Sequence, residues 1–163
     1  MQESKLLFHE LPPFFEKDSE TLILGSFPSP KSRECGFYYG HPQNRFWKTL
    51  AAVFEEKIPA NIEEKKEFLR RQKIALWDVI ASCEIKGAED GSIRRAKAND
   101  LSVILNAAAI RKILTTGKTA FCLYQTLCEP IVGRPALPLP STSPANRAVS
   151  FEELVCRYRE ALL

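Results

Sequence analysis

The stretch GFYYGHPQNRFWKTL, residues 36–50, gathers the side chains best suited to chemistry: Tyr38 and Tyr39 side by side, then His41, Asn44 and Arg45 within one helical turn. It belongs to a long loop punctuated by Pro28, Pro30, Gly36, Gly40 and Pro42. Loops of this length and composition inside a compact domain bind something. Each residue also has a plainer reading. The tyrosines can be packing residues, Asn44 can satisfy backbone donors at a helix start, and His41 beside Pro42 can be structural. A second cluster, PSTSPAN at residues 140–146, reads on composition as a solvated turn.

Two tempting motifs fail. Thr115-Thr116-Gly117-Lys118-Thr119 resembles the end of a phosphate-binding loop, but the first glycine of that pattern is Lys112 here. The H-x-E and later P-C-x-x-C of a zinc deaminase are absent from the sequence.

The elements that must position these residues alternate along the chain. Residues 21–24 read as a buried strand that breaks at Gly25 into the loop. A helix over residues 44–56 follows, with Phe46, Trp47, Leu50, Ala51 and Phe54 at helical spacing and Pro42 in its first turn. Asn61 with Glu64 starts a helix to Arg71, and residues 74–80 form a second strand. Residues 84–97, with Gly87 and Gly91, read as a loop, and Asn99 caps a helix through Ala107. A third strand spans 110–114, a helix 118–128 and a short strand 136–139; Ser150 with Glu153 caps the last helix. This alternation predicts one domain over residues 1–163, a parallel sheet with helices on both faces. Ligands of such sheets bind at the carboxyl ends of the strands. That rule brings together the loops after Leu24, Ile80 and Leu139.

Composition narrows the class. With 163 residues, 45% hydrophobic and 26% charged, the chain is long enough for one domain with a core. No stretch approaches the roughly 20 apolar residues of a membrane span, and residues 1–10 lack a secretory signal, which places the chain inside the cell. The five cysteines are scattered without a C-x-x-C pair, so neither a disulfide framework nor a metal site is indicated, and most read as core residues. A net charge of +3 leaves a nucleic-acid partner open, although Lys31, Arg33, Arg45 and Lys48 near the loop are compatible with one.

GFYYGHPQNRFWKTL resembles the loop and helix of the mismatch-specific branch of the uracil-DNA glycosylase superfamily. GSFPSP (25–30), ALWDVIASCE (75–84) and LPSTSPAN (139–146) are similar, in the right order, to its hypoxanthine-DNA, or deoxyinosine, glycosylase branch. The resemblance implies a three-layer α/β/α sandwich around a central, mainly parallel four-stranded sheet. It also implies a monomeric enzyme acting on DNA that contains deaminated bases, without metal or cofactor, by flipping out the base and hydrolysing its N-glycosidic bond.

The same resemblance distributes roles. It places Tyr39 where the base is stacked and Asn44 where water is oriented under the sugar carbon; a neutral amide carbonyl can hold water but is a poor general base. His41 ranks second for that role. Phe27 stands where most of the superfamily has Asp or Asn; it cannot hold water and is grouped with Tyr39 and Asp78 against the base. Asp78 falls where related enzymes read the base with asparagine, and a carboxylate there accepts the N1 hydrogen of hypoxanthine but finds no such hydrogen on adenine. The alternative is a strand-end carboxylate bonding backbone amides. Leu139 replaces a histidine found in other branches. Ser26, Ser29, Ser141 and Ser143 are expected on phosphates, with residues 144–147, Arg147 included, entering the groove. Hypoxanthine is the expected substrate. A mismatch-type uracil or thymine glycosylase and a non-catalytic binder of damaged DNA are the alternatives, the latter kept open by Phe27.

Overall fold

The computed structural model describes residues 4–86 and 89–163. Its strands are β1 (Lys5–Phe8), β2 (Thr21–Gly25), β3 (Ile74–Asp78), β4 (Ile80–Ile85), β5 (Arg94–Ala98), β6 (Lys112–Thr116) and β7 (Leu137–Leu139). Its α-helices are α1 (Pro30–Cys35), α2 (Phe46–Phe54), α3 (Ile62–Arg71), α4 (Ser102–Leu105), α5 (Lys118–Leu123), α6 (Glu129–Val132) and α7 (Phe151–Leu162).

TLILG and IALWD, the sequences of β2 and β3, are buried at every position. Continuous burial without alternation marks strands covered on both faces. They belong to a four-stranded sheet of order β3-β2-β6-β7, parallel at every pairing. Helix α3 packs on β3, α5 on β6 and β7, and α7 on both β7 and α2, which gives the three-layer α/β/α arrangement. Phe46, Leu50, Phe68, Leu69, Tyr124 and Tyr158 fill the core at 1% exposure or less; burial of each such side chain is worth about 1.5–3 kcal/mol. Two helix starts form as the sequence indicates. Asn61 Oδ1 accepts the Glu64 N–H at 2.9 Å, and Ser150 Oγ accepts the Glu153 N–H at 3.1 Å, caps worth about 1 kcal/mol each.

A second, antiparallel sheet of order β1-β4-β5 is absent from the sequence reading. The strand expected over 74–80 stops at Asp78, and the loop expected over 84–97 contains the end of β4 and most of β5; Gly87 lies outside the described residues. Asn99 pins the bend, its Nδ2 donating to the carbonyls of Asp78 at 2.9 Å and Ile80 at 3.1 Å. Register shifts on either side of Ser82 break the period-two alternation, which removes the local strand signal. Asn99 is therefore not a helix cap. Asp100 Oδ1 accepts the Ser102 N–H at 3.1 Å, and α4 is one short turn.

Other boundaries move for identifiable reasons. Helix α2 begins after Pro42 and ends before Glu56, because Glu55 takes the left-handed conformation, φ 54°. Strand β6 is two residues later than the apolar run at 110–114, since pairing of Thr21 with Lys112 sets its start. Helix α5 gives way to a π-helical turn, Tyr124–Cys128, just before Pro130, which has no N–H to continue an α-helical ladder. Strand β7 leaves out Ala136, and helix α1 lies inside the long loop. Only Cys83 and Cys128 are buried; Cys35, Cys122 and Cys156 are exposed, so most cysteines are not core residues.

Candidate functional site

Pairing of Gly25 with Asp78 and of Leu24 with Thr115 brings Gly25, Asp78 and Thr116 to the carboxyl edge of the parallel sheet. Three polar atoms converge there on Gly25: a Cβ on that residue would stand 2.5 Å from Asp78 Oδ1, 3.3 Å from the Tyr39 hydroxyl and 3.6 Å from Thr116 Oγ1. The glycine is what lets the carboxylate come so close. Tyr39 reaches this point from the loop with φ 54°, a left-handed conformation costly for a tyrosine. Its ring stacks on Phe46 at 3.8 Å, and its hydroxyl lies 3.2 Å from Thr116 Oγ1. Burial, then the Asp78 charge, push the Tyr39 phenol well above its ordinary range, against the Thr116 hydrogen bond and with a further push from Asp90. It is a neutral hydroxyl.

Tyr38 has a different job. It is 2% exposed and donates to the Pro12 carbonyl at 2.8 Å, tying the loop to the N-terminal segment. Trp47 Nε1 donates to the Tyr38 carbonyl at 3.2 Å, and Phe14 pairs with Leu76 along the edge of β3. Tyr38 is thus a packing residue.

At the start of α2, Asn44 Oδ1 accepts the Phe46 N–H at 2.9 Å, and its own N–H donates to the His41 carbonyl at 2.9 Å. The capping bond uses one lone pair of Oδ1 and leaves the second. His41 Nδ1 accepts the Gln43 N–H at 3.1 Å. Arg45 joins this end of α2 to the PSTSPAN loop. Its Nη1 donates to the Val149 carbonyl and its Nη2 to the Asn146 carbonyl, both at 2.8 Å, while its backbone N–H donates to Thr142 at 3.0 Å.

Arg45 is therefore a clamp rather than part of a basic surface. Of the other three cations of that expectation, Lys31 and Lys48 are exposed, Lys31 3.4 Å from Glu34 and Lys48 4.4 Å from the Phe151 ring centroid, while Arg33 lies 5.8 Å from that of Phe27 with its Nε buried and unpartnered among the described residues. Phe27 itself is 8% exposed.

The four serines divide into two kinds. Ser26 donates to both oxygens of Asp90 at 3.0 Å, and Ser29, the cap of α1, donates to Ser32 Oγ at 3.1 Å. Their hydroxyl hydrogens are committed. Ser141 and Ser143 instead accept, from the N–H groups of Ser143 at 3.1 Å and Ala145 at 3.2 Å, so their hydroxyl hydrogens are free to donate outward. Arg147 is exposed beside them.

Three residues at this edge carry no signal in the sequence. His9 Nε2 lies 2.8 Å from Asp78 Oδ2, with both side chains buried. Asp90 comes from a turn 64 residues beyond Ser26; burial and, behind it, the Asp78 charge raise its carboxyl, against the Ser26 hydrogen bond. Thr116, half-buried at the end of β6, is the third such residue, hidden in the misleading TTGKT string. Among the described residues no group of three or more His, Cys, Asp or Glu is arranged to hold a metal ion, and no helix is long and apolar enough to cross a membrane.

Comparison with known proteins reaches nearly the whole chain. The family model described as the uracil DNA glycosylase superfamily matches residues 12–162. A protein of Methanosarcina barkeri named hypoxanthine DNA glycosylase is 37% identical over 109 residues, 66% of this chain and 69% of that one. Its namesake in Methanosarcina acetivorans is 34% identical over 141 residues, 85% of this chain and 88% of that one. A solution NMR structure from M. acetivorans, named as a candidate uracil DNA glycosylase, superposes with a TM-score of 0.78 at 30% identity, covering 96% of this chain and 98% of that one.

Proposed function

The chain belongs to the uracil DNA glycosylase superfamily and is a DNA glycosylase; from that premise we propose that it excises hypoxanthine from DNA containing deoxyinosine. It acts inside the cell as a monomer, and the reaction uses no metal or cofactor. The flipped base enters the edge where Asp78 Oδ1, the Tyr39 hydroxyl and Thr116 Oγ1 meet at Gly25. This convergence is the observation that carries the reading. Hypoxanthine offers an N1–H donor where adenine offers a lone pair, and a carboxylate is an acceptor only. Tyr39 presents an aromatic face to the base, with its other face covered by Phe46, and Phe27, its ring 6.0 Å from that of His9, is assigned to the base with it.

Hydrolysis places a water on the sugar carbon as the N-glycosidic bond breaks; the base departs with the bonding electrons, and the proton given up by the water ends on the released base. Asn44 orients that water through the lone pair of Oδ1 not used by the Phe46 N–H. Its contribution is positional, because an amide does not take the proton. Ser141 and Ser143 donate to phosphates and Arg147 lies along the strand, while Ser26 and Ser29 support the loop on the same side.

Phe27, standing where superfamily members carry an acidic or amide residue, supports a second reading, a binder of damaged DNA without catalysis. Single-turnover base release from oligonucleotides carrying deoxyinosine, deoxyuridine or a thymine mismatch decides between them. The enzyme reading expects deoxyinosine to be cleaved fastest and Asn44→Ala to abolish cleavage while binding persists. Binding without release of any base by the wild-type protein would establish the binder.

A further inference from the structure

The two oxygens of Asp78 have separate surroundings. Oδ1 faces Gly25, Tyr39 and Thr116 and has no hydrogen-bond partner among the described residues, whereas Oδ2 lies 2.8 Å from His9 Nε2. The His9 side chain is 3% exposed and that of Asp78 6%. Aromatic rings wall in the imidazole: Phe27 at 6.0 Å and Trp77 at 6.3 Å present edges, and Tyr38 lies tilted at 6.2 Å. A carboxylate with so little access to water needs a donor for the oxygen it does not offer to a ligand.

We infer that His9 is the positioning residue of the base-reading carboxylate: its Nε2–H saturates Oδ2, fixes the side-chain torsion of Asp78 and leaves Oδ1 as the single acceptor presented to the flipped base. This rests on the assignment of Asp78 to the base edge. With Oδ2 saturated by His9, the carboxylate offers Oδ1 as a lone pair and no hydrogen of its own, so it favours bases with a ring N–H, such as hypoxanthine, over adenine. Without His9, the Tyr38 hydroxyl does not replace the donor, since it is committed to the Pro12 carbonyl.

The test is single-turnover base release from a deoxyinosine oligonucleotide by wild type, His9→Phe, His9→Gln, His9→Asn, Asp78→Asn and the His9→Phe/Asp78→Asn pair, each checked for folding by circular dichroism. His9→Phe is expected to slow release about tenfold or more with oligonucleotide affinity unchanged. His9→Gln, whose amide nitrogen falls near the position of Nε2, recovers most of the rate; His9→Asn, whose amide stops short, does not. In the Asp78→Asn background His9→Phe adds less than about twofold, because the residue acts through Asp78. A wild-type rate in His9→Phe, or the same loss in both backgrounds, overturns the inference. Should His9→Phe fail to fold, equal rates in His9→Gln and His9→Asn overturn it. An Asp78→Asn variant as fast as wild type removes the base-reading role of Asp78 itself, whereas a slow Asp78→Asn beside a fast His9→Phe removes only the role of His9.

Discussion

Gly25 and Asp78 are register partners on neighbouring parallel strands, and the carboxylate leans over the glycine so closely that a Cβ there would stand 2.5 Å from Oδ1. Asp78 cannot retreat freely, because His9 holds its other oxygen. Gly25→Ala is therefore expected to displace the carboxylate and slow deoxyinosine cleavage about tenfold or more. Urea unfolding should show a stability loss of about 1–3 kcal/mol from overpacking. A full rate in the alanine variant would mean that the carboxylate need not sit over residue 25.

The guanidinium of Arg45 spans two carbonyls on the far side of the PSTSPAN loop, which a single ammonium cannot do. Arg45→Met keeps the aliphatic length and leaves both carbonyls without their charged donor. The expected cost is about 2 kcal/mol, with faster amide hydrogen exchange confined to residues 140–149. Arg45→Lys should restore less than half of it. Equal protection of that loop in wild type and Arg45→Met would contradict the clamp.

Asp90 predicts a pH dependence of stability. Its carboxyl, turned toward Ser26, is raised above the ordinary 3.8 mainly by burial and secondarily by Asp78. The folded chain then holds this proton more tightly than the unfolded chain, so the Asp90 contribution to stability falls as pH rises from 3.8 through the raised value. Asp90→Asn removes that slope. Thermal melts should show the advantage of the variant over wild type smallest at about pH 3 and growing toward about pH 7. An advantage that shrinks with rising pH would reverse the assignment.

What the sequence discloses follows the distance over which each feature is decided. Asn61 with Glu64 and Ser150 with Glu153 are caps closed within three residues, and both form as read. The apolar run of β2 and its loop are legible for the same reason, as is the meeting of the loops after β2 and β7 at one edge; the loop expected after Ile80 is instead strand β4. His9 meets Asp78 across 69 residues, and Asp90 meets Ser26 across 64. Nothing periodic announces either encounter. The bulged β4 and the short β1 fail differently: their pairing is regular enough to hold a sheet, yet the side-chain alternation that would reveal it is broken at Ser82.

The clamp at Arg45 also sets an order of assembly. Its carbonyl partners follow it by 101 and 104 residues, so on a ribosome adding about 5–20 residues per second the loop is latched only when nearly the whole chain has emerged. Pairing of β2 with β3 needs only the first 78 residues, while the other edge of β2 waits for β6. Contacts this distant in sequence are slow to close and leave strand edges bare in the meantime. A nascent chain halted just before Asn146 carries every strand, Asp78 and His9, but lacks both carbonyl partners of the Arg45 guanidinium and the whole of α7, so premature termination leaves the sheet without the helix that covers β7 rather than a slow enzyme.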